Sequence, residues 1–261
     1  MRWEDVLYSQ GFGTRRACRA LILSGAVAAG GGRHPVVDPD EPVPPDELAP
    51  GLPFWVEGVC WTYQPRAYLM LHKPAGYECS RRPSAWPGVH TLLPAPLRQR
   101  PGGAADGVQA IGRLDQDTTG LLLLSDDGAF IHRLTSPRHH VPKVYEVTCR
   151  HPVDEGQIQR LRAGVVLHDD PRPVTPAAVE RIDASRLRLT LTEGRYHQVK
   201  RMVAAVGNRV DALHRTAIGP VALPADLAPG QWRWLSADEV AALQAAGGKA
   251  AGVKAPRPET R

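Results

Sequence analysis

Gly112-Arg113-Leu114-Asp115-Gln116-Asp117-Thr118-Thr119-Gly120-Leu121-Leu122-Leu123-Leu124 sets an acid beside an arginine, in a turn that opens onto four consecutive leucines. The apolar run is short and continuous, with Gly120 before it and Ser125-Asp126-Asp127-Gly128 after it. It therefore reads as a strand buried on both faces. Asp115 sits just ahead of that core strand, where a reactive carboxylate would be held. A turn aspartate by itself has a plainer use, since its side chain caps nearby backbone N–H groups.

Working outward, Tyr68-Leu69-Met70-Leu71-His72 is a strand stopped by Lys73-Pro74, and residues 98–107 read as a flexible loop. Tyr145, Val147 and Cys149 share one face of a further strand, so core packing alone accounts for an aromatic there. The stretch Arg186 to Thr192 alternates strictly, predicting a strand with Arg186 and Arg188 pointing outward. Val199, Met202, Val203 and Val206 recur at helix spacing, which predicts an amphipathic helix from Tyr196 to Val206, ended by Gly207. Ser236 and Glu239 form a capping box for a last helix through Leu243. No long repeat and no strict strand–helix alternation is visible. The expected class is α+β, a mixed and mostly antiparallel sheet with flanking helices.

Residues 1–62 differ in texture. Trp3 to Gln10 predicts a helix ending at Gly11, and Thr14 caps a second from Arg15 to Ser24, closed by Gly25. Ala17, Leu21 and Ser24 are its small or apolar side, while Arg15, Arg16 and Arg19 are placed to meet phosphates or simply to face solvent. Residues 35–53 hold seven prolines, five acids and no base, an irregular loop that does not bind phosphate. The expected division is a module over 1–62, a linker over 63–66, a catalytic domain over 67–245 and a disordered basic tail over 246–261.

Composition sets outer bounds. The 261 residues, 43% of them hydrophobic, suffice for one good core and a small extra module. A formal net charge of +5 fits an anionic partner. The cysteines Cys18, Cys60, Cys79 and Cys149 are scattered with no C-x-x-C pair, suggesting neither a disulfide framework nor a zinc site, and no histidine spacing suggests another metal. A cytoplasmic chain with no membrane span is expected.

The pattern Gly-Arg-Leu-Asp-x-x-Thr-x-Gly-Leu from Gly112 to Leu121 resembles the catalytic motif of the pseudouridine synthases that modify ribosomal RNA. Two further segments of that family follow in the expected order, Lys143-Val144-Tyr145 and the stretch from Glu193 to Met202. Thr135-Ser136-Pro137-Arg138-His139-His140, together with Tyr196-His197-Gln198, is similar to the small-subunit (16S) branch, the RsuA-type enzymes; large-subunit relatives usually carry Asn-Arg-Gln at the latter position. The likeness covers roughly residues 66–245. Residues 1–62 resemble, in degenerate form, the small S4-type α/β RNA-binding module that precedes the catalytic domain in many such enzymes. The resemblance implies the family's fold, with RNA held in a cleft across the middle of the sheet.

It also implies a chemistry. Pseudouridine formation breaks the bond from ribose C1′ to uracil N1, turns the base and rejoins it through C5, with no redox change and no cofactor. The reaction calls for a carboxylate near the ribose, groups that hold the detached uracil, and a dry pocket. Asp115 is the carboxylate, as a nucleophile at C1′ or as the base that removes the 2′ proton; both routes stay open. A buried aspartate beside uracil takes up a proton unless a cation keeps it charged, so a basic partner is expected. The resemblance assigns that role to Lys200, with Arg201 as the alternative. Tyr145 matches the tyrosine that stacks on the flipped uracil. The substrate pocket would add Arg113, Leu114, Thr118, His197, Arg201 and Leu213. RNA contacts would come from Arg15, Arg16, Arg19, Arg138, His139 and Lys143. Ribosomal RNA, 16S within a partly assembled small subunit, is the expected partner of a monomer.

Three rivals define the alternatives: a synthase acting on 23S RNA, a noncatalytic RNA-binding assembly factor, and a glycosidase using Asp115 with Asp117. Two carboxylates two residues apart in one tight turn rarely oppose each other across a sugar, which counts against the last.

Overall fold

The computed structural model describes residues 1–45, 48–102, 107–168 and 170–246; the expected tail lies, from residue 247 on, outside the described residues. Helix α1 (Trp3–Gln10) buries Trp3, Val6, Leu7 and Gln10, one stripe at helical spacing, and ends at Gly11 in the left-handed region. Helix α2 (Arg15–Leu23) begins where the Thr14 side chain accepts from the Ala17 N–H. Its buried side is Cys18 and Ile22, with Leu21 partly covered, while Ala17 and Ser24 are exposed. The expected apolar side was thus rotated from the true one, because small residues at solvent positions cannot be told from packed ones by size.

The two helices pack on a four-stranded antiparallel sheet of β1 (Val27–Ala29), β2 (His34–Pro35), β3 (Pro53–Val56) and β4 (Val59–Thr62), in the order β2-β1-β3-β4. The acidic, proline-rich stretch between β2 and β3 tucks Val36 and Val43 into this core, and its backbone accepts from the N–H groups of Trp3 and Glu4.

The second sheet begins with β5 (Tyr68–Lys73), followed by the short helix α3 (Ala95–Gln99), β6 (Gln109–Ala110) and β7 (Thr119–Ser125). Next come α4 (Gly128–Thr135), β8 (Lys143–Cys149), α5 (Glu155–Ala163) and the hairpin of β9 (Val165–Leu167) and β10 (Asp170–Val174). The chain continues through β11 (Ala178–Arg181), β12 (Arg186–Leu191), α6 (Gln198–Ala205), β13 (Val210–Ile218), β14 (Val221–Ala222), β15 (Trp232–Trp234) and α7 (Ala237–Ala245). The sheet runs β11-β12-β8-β13-β7-β5-β15, with β6 and β14 paired to β7 and β13. Only β13 and β7 pair in parallel, so this is the mixed, mostly antiparallel α+β sheet that the strand pattern predicts.

Strand β7 earns its central place through its leucines. Leu121 and Leu123 pack under α4 and α7 with Phe130, Leu134 and Leu243, while Leu122 and Leu124 pack under α3 with Leu97 and Val89. All four are fully buried, each stabilising the fold by about 1.5–3 kcal/mol relative to exposure. The far half of the sheet carries a third core, formed by Val147, Leu187 and Leu189 against Ile158 and Leu161 of α5 and Val199, Met202 and Val203 of α6. Arg186 and Arg188 of β12 point outward as expected, held by Asp183, Glu146 and Glu180.

Two expectations need correction here. Strand β5 continues through Lys73, which is fully buried, and does not stop before it. Residues 98 and 99 are not loop: Arg98 and Gln99 complete α3, and Arg100, just past its end, is only 2% exposed. The Arg100 guanidinium bonds Asp126 at 2.7 Å, the Gln10 side chain at 2.8 Å and the Gln64 carbonyl at 2.7 Å. Gln10 and Gln64 bond each other in both directions. Residues 63–66 thus lie at a hydrogen-bonded junction between the helical module and the large sheet. At that junction Gly11 sits so close to α3 that an added Cβ would fall 2.0 Å from the Pro96 carbonyl oxygen. Among the described residues no helix is long and apolar enough to cross a membrane.

Candidate active site

The turn that carries Asp115 is fixed by its own backbone and by one buried lysine. The Thr118 N–H donates to the Asp115 carbonyl at 3.1 Å, the Gly76 N–H to the Gln116 carbonyl at 2.8 Å, and the Leu114 N–H to the Cys79 sulfur at 3.4 Å. From the end of β5, Lys73 Nζ donates to the carbonyls of Asp115 at 2.9 Å, Thr118 at 2.8 Å, and Gln116 and Pro74 at 3.1 Å. Burial pulls the Lys73 ammonium below its ordinary pKa, with nearby Asp117 and Asp115 acting in the opposite direction. Sequence reasoning missed this residue. Its only signal is a lysine directly after a buried strand and before a proline.

At the exit of the turn, Gly120 has a φ of 107° and lies against β13, where a Cβ would meet the Arg215 carbonyl oxygen at 2.3 Å. This close approach seats the turn between β13 and α6. Asp115 is the meeting point. Its Oδ2 lies 3.0 Å from Lys200 Nζ and its Oδ1 3.3 Å from His197 Nε2. Lys200 also donates to Asp117 Oδ1 at 2.7 Å. Burial alone would lower the Lys200 pKa, but the bonds to Asp117 and Asp115 outweigh it and hold the ammonium above its ordinary value. The Asp117 carboxyl is held low in turn, burial being overcome by Lys200. Of the two adjacent bases, Lys200 reaches Asp115, and Arg201 turns back to donate to the Tyr196 carbonyl at 3.0 Å.

Helix α6 begins at Gln198, two residues later than its apolar pattern predicts. His197 occupies the left-handed region with φ 49°, so the helix cannot include it. That kink brings the imidazole to Asp115 and stacks it on the Tyr196 ring, with centroids 3.8 Å apart and planes 21° from parallel.

A cavity of about 420 Å³ opens at Asp115, with walls that include Tyr145, Leu213, Ile218, Arg215, Lys143 and Val199. Leu213 and Arg215 lie two apart on β13 and share its inner face, opposite Val147 and Tyr145 of β8. The buried Arg215 donates from Nε to the Leu121 carbonyl at 2.8 Å and from Nη1 to the Tyr145 hydroxyl at 3.4 Å. Its guanidinium stands 5.9 Å from the Tyr145 ring centroid. Arg215 was also missed by sequence reasoning, although its place two residues after Leu213 was a usable signal. Its Nη2 is buried and has no hydrogen-bond partner among the described residues.

The remaining predicted residues divide by location. Leu114 and Thr118 are buried in the cavity wall, and Arg113 is exposed at its rim. Lys143, expected as an outer RNA contact, faces the cavity; burial first, and Arg215 second, push its pKa down to about 8. Exposed Arg138 and half-buried His139 lie in the short turn Pro137–His139, whose proline borders the cavity. In the helical module Arg15 pairs with Asp5 and Glu4, and Arg19 with Glu4 and Asp40, while Arg16 is exposed. The structure therefore brings Asp115, Tyr145, Lys200, His197, Leu213, Leu114 and Thr118 to one cleft and leaves Arg15, Arg16 and Arg19 on the separate module.

This arrangement offers a carboxylate at the mouth of a pocket with an aromatic wall and a buried guanidinium, a setting for carboxylate chemistry on a bound planar group. Residues 67–205 match the RNA pseudouridylate synthase family. The chain is 48% identical over 178 residues to ribosomal small subunit pseudouridine synthase A of Yersinia pestis, spanning 68% of this chain and 73% of that one. It is also 48% identical over 176 residues to the protein of that name from Escherichia coli (strain K12), spanning 67% and 73%. A crystal structure of a pseudouridylate synthase aligns over 93% of this chain and 99% of its own, with a TM-score of 0.63 and 35% identity. Motif, fold and relatives converge, and the chain belongs to the RNA pseudouridylate synthase family.

Proposed function

We propose that this enzyme isomerises uridine to pseudouridine in 16S ribosomal RNA, with Asp115 as the carboxylate that acts on the ribose. The observation that carries the assignment of Asp115 is its contact with Lys200 at 3.0 Å at the mouth of the cavity lined by Tyr145. Lys200 sets its positive charge against the carboxylate in the closed site, Tyr145 stacks on the flipped uracil, and Leu213 closes the apolar wall. The bond from C1′ to N1 breaks, the base turns in the pocket, C5 bonds to C1′, and the proton that C5 loses is balanced by one that N1 takes up from solvent. Either route for Asp115, attack at C1′ or removal of the 2′ proton, fits this geometry. Extruding the base costs a few kcal/mol, least in an irregular loop, which favours a partly assembled small subunit over regular duplex.

The choice of 16S RNA is supported by the names of the 48%-identical relatives and by Tyr196-His197-Gln198. Residues 1–62 act as an S4-like RNA-binding module, a reading supported by its helix pair and small sheet, with exposed Arg16 available to phosphate. The enzyme works in the cytoplasm as a monomer, without a cofactor. The test is to incubate it with unmodified 16S and 23S RNA, free and in partly assembled particles, and to map pseudouridine by chemical labelling and primer extension. One site in 16S supports the proposal. Modification confined to 23S overturns the branch, and no product on any RNA favours a binding factor.

A further inference from the structure

Tyr196 is the most exposed large apolar side chain among the described residues, at 72%. Core burial does not account for it; one face of its ring stacks on His197. Nor is it loosely held. His197 Nε2 contacts Asp115, Arg201 donates to the Tyr196 carbonyl, and the Arg195 N–H donates to the Gln198 side chain at 2.7 Å. An exposed ring on an anchored backbone at the edge of an RNA cleft offers a flat π-face at low entropic cost.

Its position is specific. A second cavity of about 290 Å³ opens on Asp115 and shares Arg113, Tyr196 and His197 with the larger one. A strand whose target base fills the first cavity, with its ribose over Asp115, can continue into the second. Three carboxylates border that second space, Glu78, Asp115 and Asp117, together with the cations of Arg113 and Lys200. Glu78 is spent on the backbone N–H groups of Ser84, Ala85 and Trp86, and Asp117 on Lys200. With its charges of both signs and its acids already partnered, the space is suited to the neighbouring nucleobase by the exposed ring of Tyr196.

We infer that Tyr196, backed by the stacked His197, is a platform for the nucleobase adjoining the target uridine in the RNA strand. The inference rests on the function proposed above and names a subsite beside the reacting base. It makes Tyr196 a substrate-binding residue that helps choose the local sequence.

The test uses the full chain and a short RNA containing the mapped uridine, or any single uridine if none is mapped, with 2-aminopurine on its 5′ or 3′ side. Wild type and Tyr196→Phe should quench the 2-aminopurine at one of these positions on binding. Tyr196→Leu, which keeps apolar bulk without a ring, should lose the quenching and raise KM about tenfold, with a smaller effect on kcat. Equal quenching and KM in Tyr196→Leu and wild type would overturn the inference, as would no quenching by wild type at either position. Quenching is read on binding, so a chain that quenches through Tyr196 but forms no pseudouridine contradicts the proposed function and leaves the platform standing. Product formation that ignores Tyr196 does the reverse.

Discussion

Lys73 Nζ lies 2.9 Å from the carbonyl oxygen of Asp115, the residue whose carboxylate meets Lys200 at 3.0 Å, so one buried ammonium holds the backbone of the group whose side chain another ammonium contacts. Lys73→Met would leave the carbonyls of Pro74, Asp115, Gln116 and Thr118 without this donor. Leaving buried carbonyls without their donor costs about 1–3 kcal/mol. Urea unfolding of the variant should show a loss of that size, and activity should fall with the geometry of the turn. A midpoint close to wild type would mean that the turn holds itself.

Lys200→Met should cut the rate by about a hundredfold or more, because Asp115 would lose the cation that contacts and orients its carboxylate. Lys200→Arg should restore much of that loss. Arg201→Met should be milder, since Arg201 bonds the Tyr196 carbonyl. Single-turnover rates over a pH series separate these outcomes, and a larger loss in Arg201→Met would reverse the assignment.

The Lys143 ammonium predicts a pH effect on stability. Below about pH 8 the amine carries its proton in both folded and unfolded chains, and the cost of burying it is felt in full. From there to the ordinary lysine value near ~10.4 the folded chain has shed the proton and the unfolded chain keeps it, so stability rises with pH. Wild type should therefore gain on Lys143→Leu as pH rises: the advantage of the leucine variant shrinks from about pH 8 to about pH 10. Urea midpoints of both chains across that range check it, and a constant difference would contradict it.

Arg100→Met should destabilise the junction by about 3–5 kcal/mol, because Asp126 would remain buried without its cation and Gln10 and Gln64 would lose a donor. Limited proteolysis should then cut between the helical module and the large sheet, at residues 63–66, well before global unfolding. Cleavage at the wild-type rate would show that packing alone holds the module.

Legibility in the sequence followed period and punctuation. The strand from Leu121 to Leu124, the alternation of β12, the capping box of α7 and the Thr14 cap were all readable, because each depends on neighbours close in the chain. Lys73 and Arg100 were not. Charge type says nothing about burial, and the carbonyls and carboxylate that satisfy them come from 26 to 90 residues away or from the folded turn itself. The start of α6 was misplaced for a local reason, since His197 carries no sequence mark of its left-handed backbone. Arg215 falls between these cases: alternation along a strand would have put it on the face of Leu213, but only the register of β13 on β8 sets it against Tyr145.

The most direct measurement of the central claim is tritium release from RNA labelled at uracil C5, because rejoining the base through C5 must expel that hydrogen. Wild type should release tritium in proportion to the pseudouridine mapped in 16S RNA. Asp115→Asn, with folding and RNA binding intact, should release none above background. Release by the asparagine variant at a rate near wild type would contradict the role given to Asp115 and the mechanism built on it.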